Sequence, residues 1–124
     1  MELKFYQCPI CGKIVAIVKN SAAPTVCCGK PMEELVAGTT DAAREKHVPE
    51  WSVEGDRLNV VVGAQEHPMK PEHYIEWIAL ETNSGVQVKT LRPGAAPRAS
   101  FALDQGDDVR AVYAYCNLHS LWKS

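Results

Sequence analysis

The amino-acid sequence predicts an all-β protein made of a small metal-knuckle unit followed by a seven-stranded β-sandwich of two sheets. Two observations carry this prediction. Four of the five cysteines lie within residues 1–37, in one CxxCG motif and one CCG motif. The rest of the chain consists of short apolar stretches, some alternating with polar residues, which are separated by regularly spaced turn signals. We therefore divide the chain near residue 37, into domains 1–37 and 38–124.

Strands are predicted at residues 2–6 and 14–18 of the first domain. The CxxCG motif lies between them; its turn lets backbone N–H groups point at the sulfurs, and its glycine permits a left-handed backbone. Cys27 and Cys28 follow a loop at residues 20–24. Because the cysteine count is odd and no secretory signal is seen, metal ligation is a better expectation than a disulfide framework.

Thiolates of Cys8, Cys11, Cys27 and Cys28 could close a tetrahedral site around iron or zinc. A structural zinc ribbon stays open as an alternative, although such ribbons usually repeat CxxC in their second half, and so does a rare vicinal disulfide. Adjacent cysteines cannot both take the usual knuckle geometry, so we expect a distorted tetrahedron. A unit this small cannot fold on apolar burial alone, and metal binding would supply much of its folding free energy.

The second domain is predicted to be all-β after a transition segment. Residues 41–46 form either a single helical turn or an ordered loop. A Glu-Gly-Asp turn at residues 54–56 indicates a hairpin, because the apolar residues that follow it occupy alternate positions. Strands are predicted at residues 51–54, 57–63, 74–81, 86–91, 99–103 and 109–116, and the regular turn signals indicate a two-sheet sandwich of about seven short strands.

Composition excludes several kinds of partner. The chain of 124 residues is 46% hydrophobic and has a formal net charge of -2. A nucleic-acid or anionic-membrane partner would favour a basic face. The longest apolar runs, such as residues 14–18, are too short to span a bilayer, and the N-terminus lacks a signal pattern. We therefore expect a cytoplasmic protein with no nucleic-acid or membrane partner.

A second possible metal site combines the remaining cysteine with all four histidines. His47, His67 and His73 lie just outside predicted strands, and Cys116 shares a short turn with His119. A single loop histidine is usually only a solvated surface residue. The joint pattern changes this interpretation, because rigid strands can direct ligands in neighbouring loops to one point.

Iron fits this five-residue set better than other metals. Structural zinc prefers four ligands, and blue copper uses fewer imidazoles with a weak axial ligand. Imidazoles suit iron, and an axial thiolate donates electron density to it. Five ligands leave the sixth octahedral position open, so the set indicates redox chemistry on a small molecule.

These motifs make the sequence resemble the desulfoferrodoxin family, the two-iron class of superoxide reductases. The resemblance covers nearly the whole chain, accounts for every cysteine and histidine, and shows no departure at a ligand position. It implies a rubredoxin- or desulforedoxin-like domain with an FeCys4 centre at Cys8, Cys11, Cys27 and Cys28. It also implies an immunoglobulin-like sandwich that carries the catalytic iron.

The resemblance implies a one-electron reduction of superoxide to hydrogen peroxide, with uptake of two protons. Iron would be held equatorially by the four histidines and axially by Cys116, whose sulfur would accept hydrogen bonds from the N–H groups of Leu118 and His119. Lys46 would attract the anion and order a proton-donating water. Glu45 would occupy the sixth position in the oxidised resting state.

The partners implied by the resemblance are a rubredoxin-type electron donor and a second copy of the chain in a homodimer. We expect Trp77 and Trp122 to serve core packing. Two other functions stay open. One is a rubredoxin-like electron carrier whose sandwich is a docking module, and the other is a structural zinc-ribbon scaffold.

Overall fold

The computed structural model describes residues 3–124, and the chain divides into two compact units, Met1–Val36 and Ala37–Ser124. The all-β prediction is confirmed. Glu2, at which the first predicted strand begins, lies outside the described residues.

The first unit contains a three-stranded antiparallel sheet in the order β2-β1-β5 and a two-stranded ribbon of β3 and β4. Two knuckle turns join these elements in pairs: the turn with Cys8 and Cys11 joins β1 to β2, and the turn with Cys28 joins β3 to β4. Gly12, Cys28 and Gly29 have positive φ angles of 80°, 53° and 75°, as tight turns of this kind require. The strands are β1 (Lys4–Gln7), β2 (Ile14–Ile17), β3 (Val26–Cys27), β4 (Lys30–Pro31) and β5 (Glu33–Leu35).

The second unit contains seven strands and one helical turn. Its two antiparallel sheets have the orders β10-β7-β6 and β12-β11-β8-β9. The helical turn α1 resolves the alternative left open for residues 41–46. The elements are α1 (Arg44–His47), β6 (Pro49–Glu54), β7 (Arg57–Val62), β8 (Ile75–Thr82), β9 (Val86–Thr90), β10 (Arg98–Ala102), β11 (Val109–Cys116) and β12 (Ser120–Lys123).

The core of the second unit lies between the inward faces of its two sheets. Alternate residues of β7 point inward, and Leu58 and Val62 are completely buried. They belong to one apolar cluster with residues of β8, β10 and β11. Cys116, the last residue of β11, is part of this cluster, so the sandwich itself fixes the position of this thiol.

Gly63 allows the end of β7 to pack against the segment that carries His47. A Cβ atom added at Gly63 would lie 2.7 Å from the carbonyl oxygen of Glu45 and 2.9 Å from that of Val48. Two residues farther on, the N–H of Gln65 donates to the same Glu45 oxygen at 2.9 Å. The end of α1 is therefore held against the backbone that follows β7.

Candidate metal centres

The four N-terminal cysteines form one cluster, in which the sulfurs all lie within 4.8 Å of one another. The Sγ atoms of Cys11 and Cys27 are 3.7 Å apart, and those of Cys27 and Cys28 are 3.9 Å apart. A tetrahedral metal with bonds of about 2.3 Å to sulfur places its sulfurs roughly 3.8 Å from one another. The cluster therefore fits a metal ion, and all five cysteines are free thiols, which contradicts the vicinal disulfide.

Hydrogen bonds within the cluster shift the pKa values of its thiols in opposite directions. The N–H groups of Cys11 and Ile10 donate to the sulfur of Cys8 at 3.4 Å each, and they lower the pKa of Cys8 to about 6 against the opposing effect of burial. Hydrogen bonding to the sulfurs of Cys11 and Cys8 raises the pKa of Cys27 to about 12. The crowded sulfurs thus do not all ionise by themselves, and a bound cation would replace the remaining protons.

The second group draws its side chains from four places in the sandwich. His47 ends α1, while His67 and His73 lie in the connection from β7 to β8. Cys116 ends β11, and His119 lies in the turn that leads into β12. Donor atoms of His47, His67, His73 and Cys116 all lie within 4.8 Å of one another. The Nδ1 atom of His119 lies 3.1 Å from Nε2 of His47 and 3.9 Å from the Cys116 sulfur.

The protonation of two imidazoles follows from their backbone partners. The Nδ1 atom of His47 lies 2.6 Å from the carbonyl oxygen of Ala43, and that of His67 lies 2.7 Å from the carbonyl oxygen of Pro68. A carbonyl oxygen can only accept, so each neutral ring has its proton on Nδ1 and a lone pair on Nε2.

These two lone pairs face each other, since the Nε2 atoms of His47 and His67 are 3.1 Å apart. Two acceptors cannot hydrogen-bond to each other, but two imidazole nitrogens in adjacent positions around a metal, with bonds of about 2.1 Å, are separated by roughly 3.0 Å. The Nε2 atom of His73 is buried and has no hydrogen-bond partner among residues 3–124. A cation would satisfy all three nitrogens.

The four imidazoles form a closed ring around one point. Neighbouring ring centroids are 4.6 Å apart for His47–His67 and His67–His73, 5.2 Å for His73–His119 and 4.9 Å for His119–His47. The centroids of His47 and His73, which lie opposite each other, are 6.4 Å apart. This cyclic order is the one that four equatorial ligands require.

The pKa values of the group favour neutral imidazoles. Burial lowers the pKa of His47, and it lowers that of His67 to about 4. Burial raises the pKa of the Cys116 thiol, whereas hydrogen bonds from the N–H groups of Leu118 and His119 lower it. These two N–H groups thus favour the thiolate that a metal ligand requires.

Comparison with known proteins identifies the family of the chain. The family model named Desulfoferrodoxin matches residues 39–124, and the model of the desulfoferrodoxin N-terminal domain matches residues 1–35. The chain belongs to the desulfoferrodoxin family. A desulfoferrodoxin homolog from Archaeoglobus fulgidus is 44% identical over 122 residues, which cover 98% of this chain and 96% of the relative. A desulfoferrodoxin from Nitratidesulfovibrio vulgaris is 42% identical over 123 residues, with coverage of 99% and 96%.

Solved structures extend the similarity to both units. A superoxide reductase from Treponema pallidum is 37% identical, covers 100% of this chain with 99% of its own, and has a TM-score of 0.85. A superoxide reductase of the 1Fe type from Giardia intestinalis is 33% identical and has a TM-score of 0.55, covering 64% of this chain and 95% of its own. This member of the desulfoferrodoxin family has two iron centres, one at the four-cysteine cluster and one at the group of four histidines and a cysteine.

Glu45 and Lys46 are exposed residues of α1, directly before buried His47. Burial is the largest cause that lowers the pKa of His73, and neighbouring His119 and the positive charge of Lys46 lower it further. The charge of Glu45 opposes burial and raises the pKa of His47. Both charges therefore act on the imidazoles of the desulfoferrodoxin-type centre from its solvent side.

Two residues that contact this centre were not among the predicted site residues. Trp122 is buried, its ring lies 4.9 Å from that of His47, and its Nε1 donates to the carbonyl oxygen of His119 at 2.9 Å. Trp122 thus supports two site histidines in addition to the core packing that we expected. Asn117 hydrogen-bonds to the residues on both sides of His73. Its place between Cys116 and His119 is the one sequence signal that indicates such a role.

The structure contains no helix, among residues 3–124, with the length and hydropathy needed to cross a membrane.

Proposed function

We propose that the chain is a superoxide reductase, which reduces superoxide by one electron to hydrogen peroxide at the iron centre of its second unit. The ligands are His47, His67, His73, His119 and Cys116. The observation that carries this proposal is the set of inward-facing imidazole nitrogens beside a buried thiol, with two lone pairs 3.1 Å apart and one buried nitrogen without a partner. The similar proteins from Treponema pallidum and Giardia intestinalis, which are superoxide reductases, support it.

Iron bound at this centre supplies the electron and a Lewis-acid position that accepts the superoxide anion. The side chains of the chain arrange access to it. His47 and His67 are buried, whereas His73 and His119 are partly exposed. A small anion therefore reaches the group from the side of the two exposed rings. The Cys116 sulfur lies in the apolar core, where water does not compete for it.

Lys46 attracts the anion and holds a water molecule that donates a proton. An exposed ammonium one residue before His47 supports this role, because its charge acts on the neighbouring His73. Glu45 would act in the oxidised resting state, in which its carboxylate would serve as a further ligand of the iron. Its carbonyl oxygen is anchored by Gln65 and packs against Gly63, so its backbone is fixed while its side chain is exposed.

Domain 1–37 holds the FeCys4 centre through Cys8, Cys11, Cys27 and Cys28, and domain 38–124 is the catalytic domain. One electron is consumed for each superoxide, so the enzyme needs a one-electron donor, and we assign this role to a rubredoxin-type protein. We further propose a cytoplasmic homodimer. The resemblance to the family supports the donor and the homodimer, and the composition of the chain supports the cytoplasmic assignment.

Metal analysis combined with optical spectra before and after oxidation tests the proposed function against its alternatives. If the proposal is right, this chain has iron in both centres and gains a thiolate-to-iron band on oxidation. Cys116→Ser should abolish this band and leave the FeCys4 spectrum unchanged. An FeCys4 spectrum alone would instead indicate an electron carrier, and a colourless protein with stoichiometric zinc would indicate a scaffold. A band that survives in Cys116→Ser would remove Cys116 from the ligands.

A further inference from the structure

Asn117 connects the turn after Cys116 to the loop that carries His73. Its backbone N–H donates to the carbonyl oxygen of Tyr74 at 3.2 Å, and its Oδ1 accepts from the N–H of Tyr74 at 3.0 Å. Its Nδ2 donates to the carbonyl oxygen of Glu72 at 3.1 Å. One residue therefore makes three hydrogen bonds to the backbone directly before and directly after His73.

The position of the His73 imidazole depends on the backbone of its loop more than the positions of the His47 and His67 imidazoles do. The rings of His47 and His67 are each oriented by an Nδ1–H that donates to a carbonyl oxygen. Among residues 3–124, the structure shows no such ring hydrogen bond for His73, and its buried Nε2 has no partner. The loop itself is closed by two backbone hydrogen bonds of 3.0 Å between His73 and Lys70. Anything that moves this loop thus moves the imidazole.

We infer that Asn117 is a positioning residue, which fixes His73 at the correct place relative to Cys116; this inference rests on the proposed iron centre. An amide is required because the side chain must accept from Tyr74 and donate to Glu72 at the same time. Aspartate has nearly the same shape and still accepts from Tyr74, but its second oxygen would face the Glu72 carbonyl oxygen without a proton. Groups that orient a metal ligand typically contribute about tenfold to 100-fold to metal affinity.

The test is competition for ferrous iron by a chelator, carried out on the full-length protein with both centres loaded. After oxidation, the thiolate-to-iron band reports the iron left at the histidine centre, and the FeCys4 spectrum is an internal reference. Asn117→Ala and Asn117→Asp should each lower iron affinity at the histidine centre by about tenfold or more, without changing the reference. Their remaining bands should be shifted, because the ligand ring is displaced.

Asn83→Ala is the matched control. Asn83 also lies in a turn of the sandwich and donates through Nδ2, to Asp108 at 3.3 Å, but it has no hydrogen bond to the loop of His73. Its iron affinity and band should equal those of the wild type. Equal values for Asn117→Ala as well would overturn the inference.

A double-mutant cycle separates positioning of His73 from general support of the fold. In a His73→Ala background, Asn117→Ala should change iron affinity by less than about twofold, because the ligand on which it acts is gone. A full tenfold loss in that background would overturn the inference. Failure of both Asn117 variants to fold, seen by circular dichroism, would also overturn it, since the role would then be structural.

The outcome also separates this inference from the proposed function. A wild-type protein without iron at the histidine centre, or without the band on oxidation, would contradict the proposed function itself. A wild-type protein with both, combined with unchanged Asn117 variants, would contradict only the role of Asn117.

Discussion

The two metal centres differ in what holds their ligands in place. Three of the four cysteines lie on tight turns between strands of two to four residues, and Cys27 ends one of these strands. The buried apolar side chains of residues 3–36 are Leu3, Phe5 and Met32, apart from the buried thiol of Cys8. The histidine centre instead lies at the ends of long strands around an extensive apolar core. The first unit is therefore organised by its metal, whereas the second unit is organised by its core and places the ligands around a point.

The two centres also differ in how far their ligands are exposed to solvent. Cys11 and Cys28 are exposed, whereas Cys116 is completely buried, as are the rings of His47 and His67 to within a few per cent. A thiolate tetrahedron supplies its own stability through the metal. Each buried imidazole nitrogen without a partner destabilises the metal-free fold. The apolar core of the second unit must therefore offset this cost and hold the ring of imidazoles in place.

Metal removal is expected to have the largest effect and to separate the two units. Chelation of both metals should unfold the first unit and leave the sandwich folded, because only the sandwich has a core large enough to fold without metal. Amide hydrogen exchange of the full-length protein measures this. Loss of protection in residues 4–35 should accompany retained protection in β7, β8 and β11. If the first unit keeps its protection without metal, its fold does not depend on the metal and the prediction is wrong.

Gly63→Ala should disturb the histidine centre by displacing the segment that carries His47. The new methyl group would meet backbone oxygens of Glu45 and Val48 at 2.7 Å and 2.9 Å, and overpacking of this kind costs about 1–3 kcal/mol of unfolding free energy. We expect a lower midpoint in urea unfolding and weaker iron retention at His47. Gly85→Ala is the control, since nothing lies within 4 Å of its added Cβ. Equal behaviour of the two variants would show that the segment does not depend on Gly63.

Lys46→Ala should leave the metal in place and slow the capture of superoxide. The second-order rate constant should fall by about tenfold at low ionic strength, and its dependence on salt should flatten, because attraction by an exposed charge is screened. Stopped-flow mixing at several salt concentrations measures both. Lys123→Ala, at the far end of β12 from the site, removes the same charge and should have a smaller effect. An unchanged rate and salt slope in Lys46→Ala would exclude the proposed role.

Trp122→Phe should have the smallest of these effects. Phenylalanine keeps an aromatic ring against His47 but has no N–H for the carbonyl oxygen of His119, and a hydrogen bond of this type contributes about 1 kcal/mol. We expect a loss of unfolding free energy of this size, measured in urea, and a modest shift of the thiolate-to-iron band. Trp51→Phe, at a site that is 40% exposed, should change neither. An unchanged band in Trp122→Phe would show that Trp122 packs in the core but does not support the site histidines.

The sequence pattern predicted the parts of the fold that follow from local chemistry. Alternation along β7 and the turn signals of the other long strands placed them to within a few residues. The short strands β3, β4, β5 and β12 were not predicted, because a strand of two to four residues is too short to show a clear alternation of apolar and polar residues. The proline at the start of β6 hid that strand's first residues, although proline is tolerated at the first position of an edge strand.

Side chains with distinctive metal chemistry could be predicted as a group, because cysteine and histidine are few in this chain. The contacts that Gly63, Asn117 and Trp122 make around the histidine centre could not be predicted. Each residue acts through a contact between segments that are distant in sequence, such as Asn117 with Glu72 or Trp122 with His47. No spacing rule links these residues; only the folded sandwich brings them together.

The stoichiometry of the reaction with superoxide decides most directly whether the chain is a superoxide reductase. The fully reduced protein, without any other electron donor, is mixed with less superoxide than there are histidine centres, and peroxide, dioxygen and the oxidised-state band are quantified. We predict one hydrogen peroxide and one ferrous iron oxidised for each superoxide consumed, with no dioxygen released. Release of dioxygen together with half as much peroxide would indicate dismutation and would contradict it.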